Sequence, residues 1–457
     1  MYTRYYPPEL FTQTLDGIDL KTHIIATYYL DDELPGAKFI DHFSLLSEII
    51  LEGSTGTWEK IEEDSEELRT RLSGKLVGYF EIPTTDSCRR QAVVQLAFPI
   101  DAWIDNLPMM LLSIAGNCFA FSAKMRLLDF FMPDDLLKKF AGPKFGVPGV
   151  RELMNIPGRP LSLHIIKPKM GMTPAQTANQ CYQTAIGGVD MIKDDEMTSD
   201  VYNSKYEDRL KAVMDALEKA KAKTGKKPIY FVSITDEPRR IFEKAARAVE
   251  LGANGLLITY SAGLPSLRQL AEDPAINVPI LWHASHMIAA QPRISWPVFA
   301  KLARLCGTDL MLTPMYWSTV PMVSLEEAIR TAQIKQAPLA HIKPTWAMPC
   351  AGTYPGLAPL LVGEYGPDIV IPSGGGMLGH PDGYTAGAAA WQQAIAGAMS
   401  SEDFLQYARK PENRELRRAL GKWGYIERPK TPWLRIAPEF HPKKMKFEEE
   451  GVSAVSA

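Results

Sequence analysis

Residues 187–196 run Gly187-Gly188-Val189-Asp190-Met191-Ile192-Lys193-Asp194-Asp195-Glu196, and five charges crowd an otherwise apolar strand and its end. In an ordinary core strand this is an error, because an unpaired buried charge costs several kcal/mol. Here the charges stand where a parallel strand opens onto its carboxyl-terminal loop, the end at which barrel enzymes keep their chemistry. Lys193 and Asp195 are two residues apart and share one face of a strand. Glu196 follows at the turn. The residues alone leave two readings open. One is a salt-bridge cluster at a barrel rim. The other is a hard-oxygen site for Mg²⁺, which favours carboxylates and waters. A lysine ammonium cannot ligate a hard cation, but a lysine that has taken up CO₂ as a carbamate can, as a third carboxylate-like ligand.

The same ten residues resemble the metal-site motif of the RuBisCO large-subunit superfamily, in which the lysine is carbamylated. Other stretches resemble that family in the same order. Ser54-Thr55-Gly56-Thr57-Trp58 is similar to its S-T-G-T-W, preceded by a glutamate at Glu52. Gly116-Asn117 is similar to its G-N, and Lys167-Pro168-Lys169-Met170-Gly171 to its K-P-K-x-G. Ser373-Gly374-Gly375-Gly376, running into Leu378-Gly379-His380-Pro381, is similar to its G-G-G-T-L-G-H-P. The resemblance implies a C-terminal (β/α)₈ TIM barrel behind an N-terminal α+β (ferredoxin-like) domain. It also implies Mg²⁺ and CO₂, as the lysine carbamate, for cofactors. Lys193, Asp195 and Glu196 become the expected metal ligands.

Composition is ordinary for a soluble globular protein and narrows its partners. The chain has 457 residues, 46% hydrophobic and 23% charged, with a net charge of −3. That length suits a barrel plus a smaller unit. The charge balance gives no sign of nucleic acid or an anionic membrane as partner. The start lacks the apolar core of a signal peptide. The most apolar stretch, 107–121, is too short to span a bilayer. Five cysteines without paired spacing read as reduced thiols, so a cytoplasmic location is expected.

Three regions follow. Residues 1–145 read as the N-terminal α+β domain, with strands over 23–30 and 91–98 and helical spacing over 38–51 and 107–128. Proline and glycine over 143–160 read as a connection. Residues 146–425 hold the barrel, with strands expected over 161–167, 189–193, 229–235, 255–259, 280–283, 310–313, 342–348 and 369–372. Helices are expected at 207–222, 240–251 and from 391 to 424. Residues 426–457 read as a poorly ordered tail.

Polar residues gather at the expected strand ends: Lys167 and Lys169, Lys193 with Asp195 and Glu196, His283, and Ser373-Gly374-Gly375. Taken singly, each has a plain explanation as a packed histidine, a solvated lysine or a flexible turn. They carry weight because a closed barrel brings them to one rim. Mg²⁺ on the carbamate, Asp195 and Glu196 suits two adjacent oxygens of a ketose, and so the enediolate left when a neighbouring proton departs. The free carbamate oxygen and Lys167 are candidate proton acceptors. His283 is placed to move protons between substrate oxygens. Gly374 and Gly375 let backbone N–H groups approach a phosphate. By resemblance, Glu52, Thr57 and Trp58 reach the active site of a partner subunit, with Thr57 at a phosphate and Asn117 near the metal. This implies a homodimer with shared sites.

The departures from the family are selective. A carboxylase has an arginine after the strand-five histidine to grip a second phosphate, whereas Ala284 follows His283 here. The CO₂-supporting loop V-G-K-L-E-G-E is replaced by Leu312-Thr313-Pro314-Met315-Tyr316-Trp317-Ser318-Thr319-Val320, which has no basic residue. The strand-seven S-G-G reads Cys350-Ala351-Gly352, keeping only Gly352 near the first phosphate site. Loss of one arginine–phosphate pair costs about 2–5 kcal/mol, so a bisphosphate binds poorly. Tyr316 and Trp317 either face the far end of the substrate or simply pack a shortened loop. The expected function is Mg²⁺-dependent enolisation of a phosphorylated keto-sugar or keto-acid, of enolase, isomerase or decarboxylase type, without CO₂ fixation. The alternatives are a diverged ribulose-1,5-bisphosphate carboxylase and a non-catalytic metal- or phosphate-binding scaffold.

Overall fold

A computed structural model describes residues 15–33, 41–57, 59, 61–86, 88–122, 124–317, 323–426 and 444–447. The chain divides into two compact units. The first comprises residues 1–141 with 286–305 and 339–342, and the second the remainder.

The first unit contains a four-stranded antiparallel sheet of β1 (His23–Glu33), β2 (Lys75–Ile82), β3 (Arg89–Pro99) and β4 (Arg126–Phe131), in the order β2-β3-β1-β4. Helices His42–Glu52 and Leu107–Ala115 supply the two crossovers. This β-α-β-β-α-β order is the ferredoxin-like arrangement. β1 alternates as expected for a half-buried strand: Ile24, Ala26, Tyr28 and Leu30 are fully buried. The expected helix over 107–128 stops at Ala115. A Cβ on the next residue, Gly116, would meet the Leu112 carbonyl at 2.3 Å, and the chain then turns through Asn117–Ala120 into β4. The residues after Gly116 carry apolar spacing, but they form a short 3-10 turn at Asn117–Ala120 and, from Arg126, the start of β4.

The second unit is a parallel barrel of β5 (Leu161–Ile165), β6 (Met191–Lys193), β7 (Ile229–Ser233), β8 (Gly255–Thr259), β9 (Ile280–His283), β10 (Leu310–Pro314), β11 (Trp346–Cys350) and β12 (Val370–Ser373). Its interior is filled by Leu163, Met191, Phe231, Leu257, Leu281, Leu312, Met348 and Val370, as the inward positions of such a barrel require. The ladder runs unbroken from β11 round to β12. The barrel closes between β11 and β12 through the parallel bridge Ala347–Ile369. The pairings of β10 with β11 and of β12 with β5 turn Pro349 and Pro372 toward this seam. Neither has an N–H to extend it, so the seam stays short at its carboxyl-terminal end.

The expected connection over 143–160 contains a helix, Gly146–Met154, with Val147 and Val150 in the barrel core. Asp309 fixes its start, accepting from the N–H groups of Phe145 and Gly146 at 2.9 and 2.7 Å. The helical region expected from 391 is three helices: Tyr384–Met399, Phe404–Arg409 and Arg414–Trp423. Most of the expected tail lies outside the described residues. Lys444–Met445, however, pairs antiparallel with Tyr425–Ile426, so that part of it is structured. Among the described residues no helix is long and apolar enough to cross a membrane.

Candidate active site

The charged motif splits between the two faces of the barrel wall. Lys193 and Asp195 point inward and are fully buried. Asp190 and Asp194 point outward and are structural. Asp190 accepts from Arg159 at 2.9 and 2.7 Å and from the Ser162 N–H at 2.8 Å. Asp194 accepts from Arg209 at 3.0 Å, the Tyr230 hydroxyl at 2.6 Å and the Ser233 N–H at 3.0 Å. The five-charge cluster is thus two ion-paired supports and three inward groups.

Lys193 Nζ donates to the Asp194 carbonyl at 2.8 Å. Burial, the largest influence, lowers the pKa of this amine from its ordinary value. Glu196 and Asp195 oppose the shift and Lys167 assists it. Lys167 donates to Asp195 Oδ2 at 2.5 Å, and Lys169 to Glu196 Oε1 at 2.8 Å. The half-exposed Lys169 ammonium also lies 3.9 Å from Asp195 Oδ1. One cationic head therefore already stands between the two carboxylates.

His283 Nε2 lies 3.3 Å from Glu196 Oε2, and its buried Nδ1 has no hydrogen-bond partner among the described residues. Burial first, and Lys193 next, push the imidazole down to about 3, so it is neutral at neutral pH. Burial would raise the Glu196 carboxyl, but the hydrogen bond from Lys169 and the charge of Lys193 act the other way and hold it below its ordinary value. With the imidazole neutral, the lysines are what keep Glu196 ionised.

The β5–α loop is built by local signals. Thr173 and Gln176 form a capping box with Pro174 opening the helix Pro174–Ile186, the arrangement that starts a helix cleanly. This helix carries the buried Gln180, which grips the Lys167 backbone at both ends. Its Oε1 accepts from the Lys167 N–H at 3.2 Å and its Nε2 donates to the Lys167 carbonyl at 2.8 Å. His164 and Thr184 brace it from behind.

The glycine loops converge on the same rim. A Cβ on Gly374 would sit 3.3 Å from Lys167 Cγ, whereas one on Gly375 would meet nothing within 4 Å. Gly376 approaches the Thr353 carbonyl so closely that a Cβ would lie 2.0 Å from it. The Ser373 hydroxyl donates to that same carbonyl at 3.1 Å, and Thr353 Oγ1 donates to the Pro372 carbonyl. These bonds tie the β12 loop to the Ala351-Gly352 turn, where both residues have positive φ, 83° and 72°.

Lys167, Lys169, Lys193, Asp195, Glu196, His283, Gly352, Ser373, Gly374 and Gly375 therefore all lie at the carboxyl-terminal end of the barrel strands. The Ser373 side chain is turned into the fold. Glu52, Thr57 and Asn117 lie in the first unit, where Glu52 ends the helix His42–Glu52 and Thr57 donates to the Glu59 carbonyl at 2.7 Å. Trp58 lies outside the described residues. Tyr316 and Trp317 pack edge to face at 4.7 Å, and Trp317 Nε1 donates to Glu364 at 2.8 Å. This favours the packing role of that pair. Sequence reasoning missed Arg209, Tyr230, Gln180 and Ser233.

A divalent cation fits this donor set on one condition. Among the described residues no group of three His, Cys, Asp or Glu side chains is placed to hold a metal. Asp195 and Glu196 supply two carboxylates, and a third anionic arm exists only if the Lys193 amine becomes one. Its burial and its depressed pKa, with Asp195 and Glu196 as charged neighbours, suit that change.

The sequence profile of the ribulose bisphosphate carboxylase large chain N-terminal domain matches residues 15–136, and that of its catalytic domain residues 146–423. The chain belongs to the RuBisCO large-chain family. It is 37% identical over 433 residues to a ribulose bisphosphate carboxylase-like protein of Archaeoglobus fulgidus, covering 92% of this chain and 98% of that protein. It is 35% identical over 421 residues to a 2,3-diketo-5-methylthiopentyl-1-phosphate enolase of Geobacillus thermodenitrificans, covering 88% and 98%. The dimeric archaeal Rubisco from Hyperthermus butylicus superposes with a TM-score of 0.80 at 30% identity, covering 92% of this RuBisCO-family chain and all of that one.

Proposed function

We propose that this chain is a RuBisCO-like, non-carboxylating enzyme that enolises a ketose or keto-acid bearing one phosphate. The observation that carries the reading is the fully buried Lys193 amine, lowered in pKa and set beside Asp195 and Glu196. The neutral amine forms an N–C bond to CO₂ while one C=O electron pair moves onto oxygen and one N–H proton leaves to water. The product is an anion flanked by two carboxylates. The carbamate, Asp195 and Glu196 would hold a divalent cation such as Mg²⁺, which when bound would supply Lewis acidity for the negative charge that develops on substrate oxygen.

The chain's own groups do the rest. Lys167, its backbone fixed by Gln180, stands at the rim to accept or return the carbon-bound proton, and the Lys169 ammonium beside Glu196 is suited to donate one. His283, neutral and with one ring nitrogen unpartnered, is suited to relay a proton between substrate oxygens. Backbone N–H groups of Gly374 and Gly375, with Gly352 opposite, suit one phosphate. Ala284 and the stretch 312–320 offer no cation for a second, which disfavours a bisphosphate carboxylase. Retention of Lys167, Lys193, Asp195, Glu196 and His283 together disfavours an idle scaffold. By the family pattern Glu52, Thr57, Trp58 and Asn117 complete the site of a neighbouring copy, so the working unit is a homodimer.

The test is proton exchange. Keto monophosphates, among them a diketo-methylthiopentyl phosphate such as the Geobacillus relative's name specifies, are incubated with enzyme, Mg²⁺ and bicarbonate in heavy water. Deuterium entering beside the carbonyl is expected. No exchange in any monophosphate that measurably binds, together with carboxylation of ribulose bisphosphate, would overturn the proposal.

A further inference from the structure

Ser233 ends β7 on the inner face of the barrel. It is fully buried, and its Oγ has no hydrogen-bond partner among the described residues. Buried hydroxyls are nearly always paired, so an orphan of this kind points to something that completes it. The place of this orphan is set by a break in the β6–β7 ladder. The Asp194 N–H donates to the Phe231 carbonyl at 3.1 Å, and in a regular parallel ladder the next rung runs from the Ser233 N–H to the Asp194 carbonyl. That rung is missing. The Ser233 N–H donates instead to Asp194 Oδ2 at 3.0 Å, and the Asp194 carbonyl accepts from Lys193 Nζ at 2.8 Å. The Lys193 amine thus occupies the rung that the Ser233 amide gave up.

The register confirms the neighbourhood. Phe231 pairs with Lys193 and shares the inner face with it, and Ser233, two residues on, shares that face one layer closer to the mouth. Arg209 and Tyr230 hold the Asp194 carboxylate behind the wall, which keeps the Ser233 amide diverted.

We infer that Ser233 is a positioning residue for the modified lysine, its hydroxyl donating to an oxygen of the Lys193 carbamate. This rests on the carbamate reading above. Once the amine has joined CO₂ and lost a proton, it carries two oxygens that only accept. Ser233 is a buried donor on the same strand boundary with no other acceptor.

The test is Mg²⁺ binding to the full-length protein by titration calorimetry, in bicarbonate and in CO₂-free buffer. The wild type should bind Mg²⁺ more tightly with CO₂ than without. Ser233→Ala should weaken the CO₂-dependent affinity by about 10–100-fold, the usual effect of losing an outer-shell partner, and leave binding in CO₂-free buffer unchanged. Ser233→Thr, which keeps the hydroxyl, should stay near wild type. Should Ser233→Ala fail to fold, Ser233→Thr against Ser233→Val carries the test, because the two differ mainly in the hydroxyl. Equal affinities for wild type and Ser233→Ala, or equal weakening in Thr and Val, would overturn the role of Ser233 alone. A wild type indifferent to CO₂ would overturn the carbamate reading and this inference with it.

Discussion

Asp194 and Arg209 form an ion pair at 3.0 Å with both side chains buried, immediately behind the inward-facing Lys193 and Asp195. Asp195, its neighbour in sequence, faces the barrel interior. The two aspartates should therefore fail in different ways. Removing Asp194 leaves Arg209 as an uncompensated buried charge, so Asp194→Ala should cost about 3–5 kcal/mol of stability. Asp195→Asn keeps the shape and should abolish Mg²⁺ binding at a smaller cost in stability. Denaturant melts and metal titration of both variants check this.

The lowered pKa of Lys193 has a signed consequence. Only the neutral amine takes up CO₂, and the neutral fraction rises with pH. CO₂-dependent Mg²⁺ binding should therefore rise with pH. Its midpoint should lie below the ordinary lysine value of 10.5, since burial favours the uncharged amine. A titration series across pH at fixed free CO₂ measures the midpoint.

Ala351 sits at φ 83° next to Gly352 at φ 72°. A left-handed backbone costs a residue with a Cβ about 1–2 kcal/mol. Ala351→Gly should therefore be neutral or stabilising by about 1 kcal/mol, against the usual loss on introducing glycine. Gly352→Ala should destabilise. Equilibrium unfolding distinguishes them.

His164 is buried between Gln180 and Thr184, and burial pushes its pKa from 6.5 to about 3. Between those values the unfolded chain binds a proton that the folded chain does not. Stability therefore falls as pH drops below 6.5, by up to about 1.4 kcal/mol per pH unit for this group. His164→Asn should flatten that slope in melts from pH 7 to 4.

If the site is shared between two copies, variants defective in different units should complement each other. Inactive Lys193→Ala mixed equally with inactive Glu52→Gln, under conditions that exchange subunits, should recover about a quarter of wild-type activity, because half the pairs are mixed and each mixed pair has one intact site. No recovery after proven exchange would place both residues in one chain's site.

Much of this was legible in the residues because two patterns are strict. Alternation along a strand put Lys193 and Asp195 on one face. Apolar runs, read with the family resemblance in hand, marked the barrel strands: the observed β8 and β9 have the expected bounds, whereas the strand expected over 342–348 runs Trp346–Cys350. The N-terminal unit was harder. β2 has exposed residues toward its end, and the run into β4 mimics a helix until Gly116 breaks it. The supports of the site were invisible for a different reason. Arg209 lies fifteen residues from Asp194 and Gln180 thirteen from Lys167, and only the closed barrel makes them neighbours. Ser233 reads as a small residue in an apolar strand until the ladder break beside it is seen.

The account stands on the Lys193 amine becoming a metal-binding anion. Protein equilibrated with ¹³C-bicarbonate and Mg²⁺ should show a carbamate carbonyl resonance in its ¹³C spectrum, stabilised by Mg²⁺ and absent from Lys193→Ala. No such resonance in the folded wild-type protein, or an undiminished one in Lys193→Ala, would contradict it.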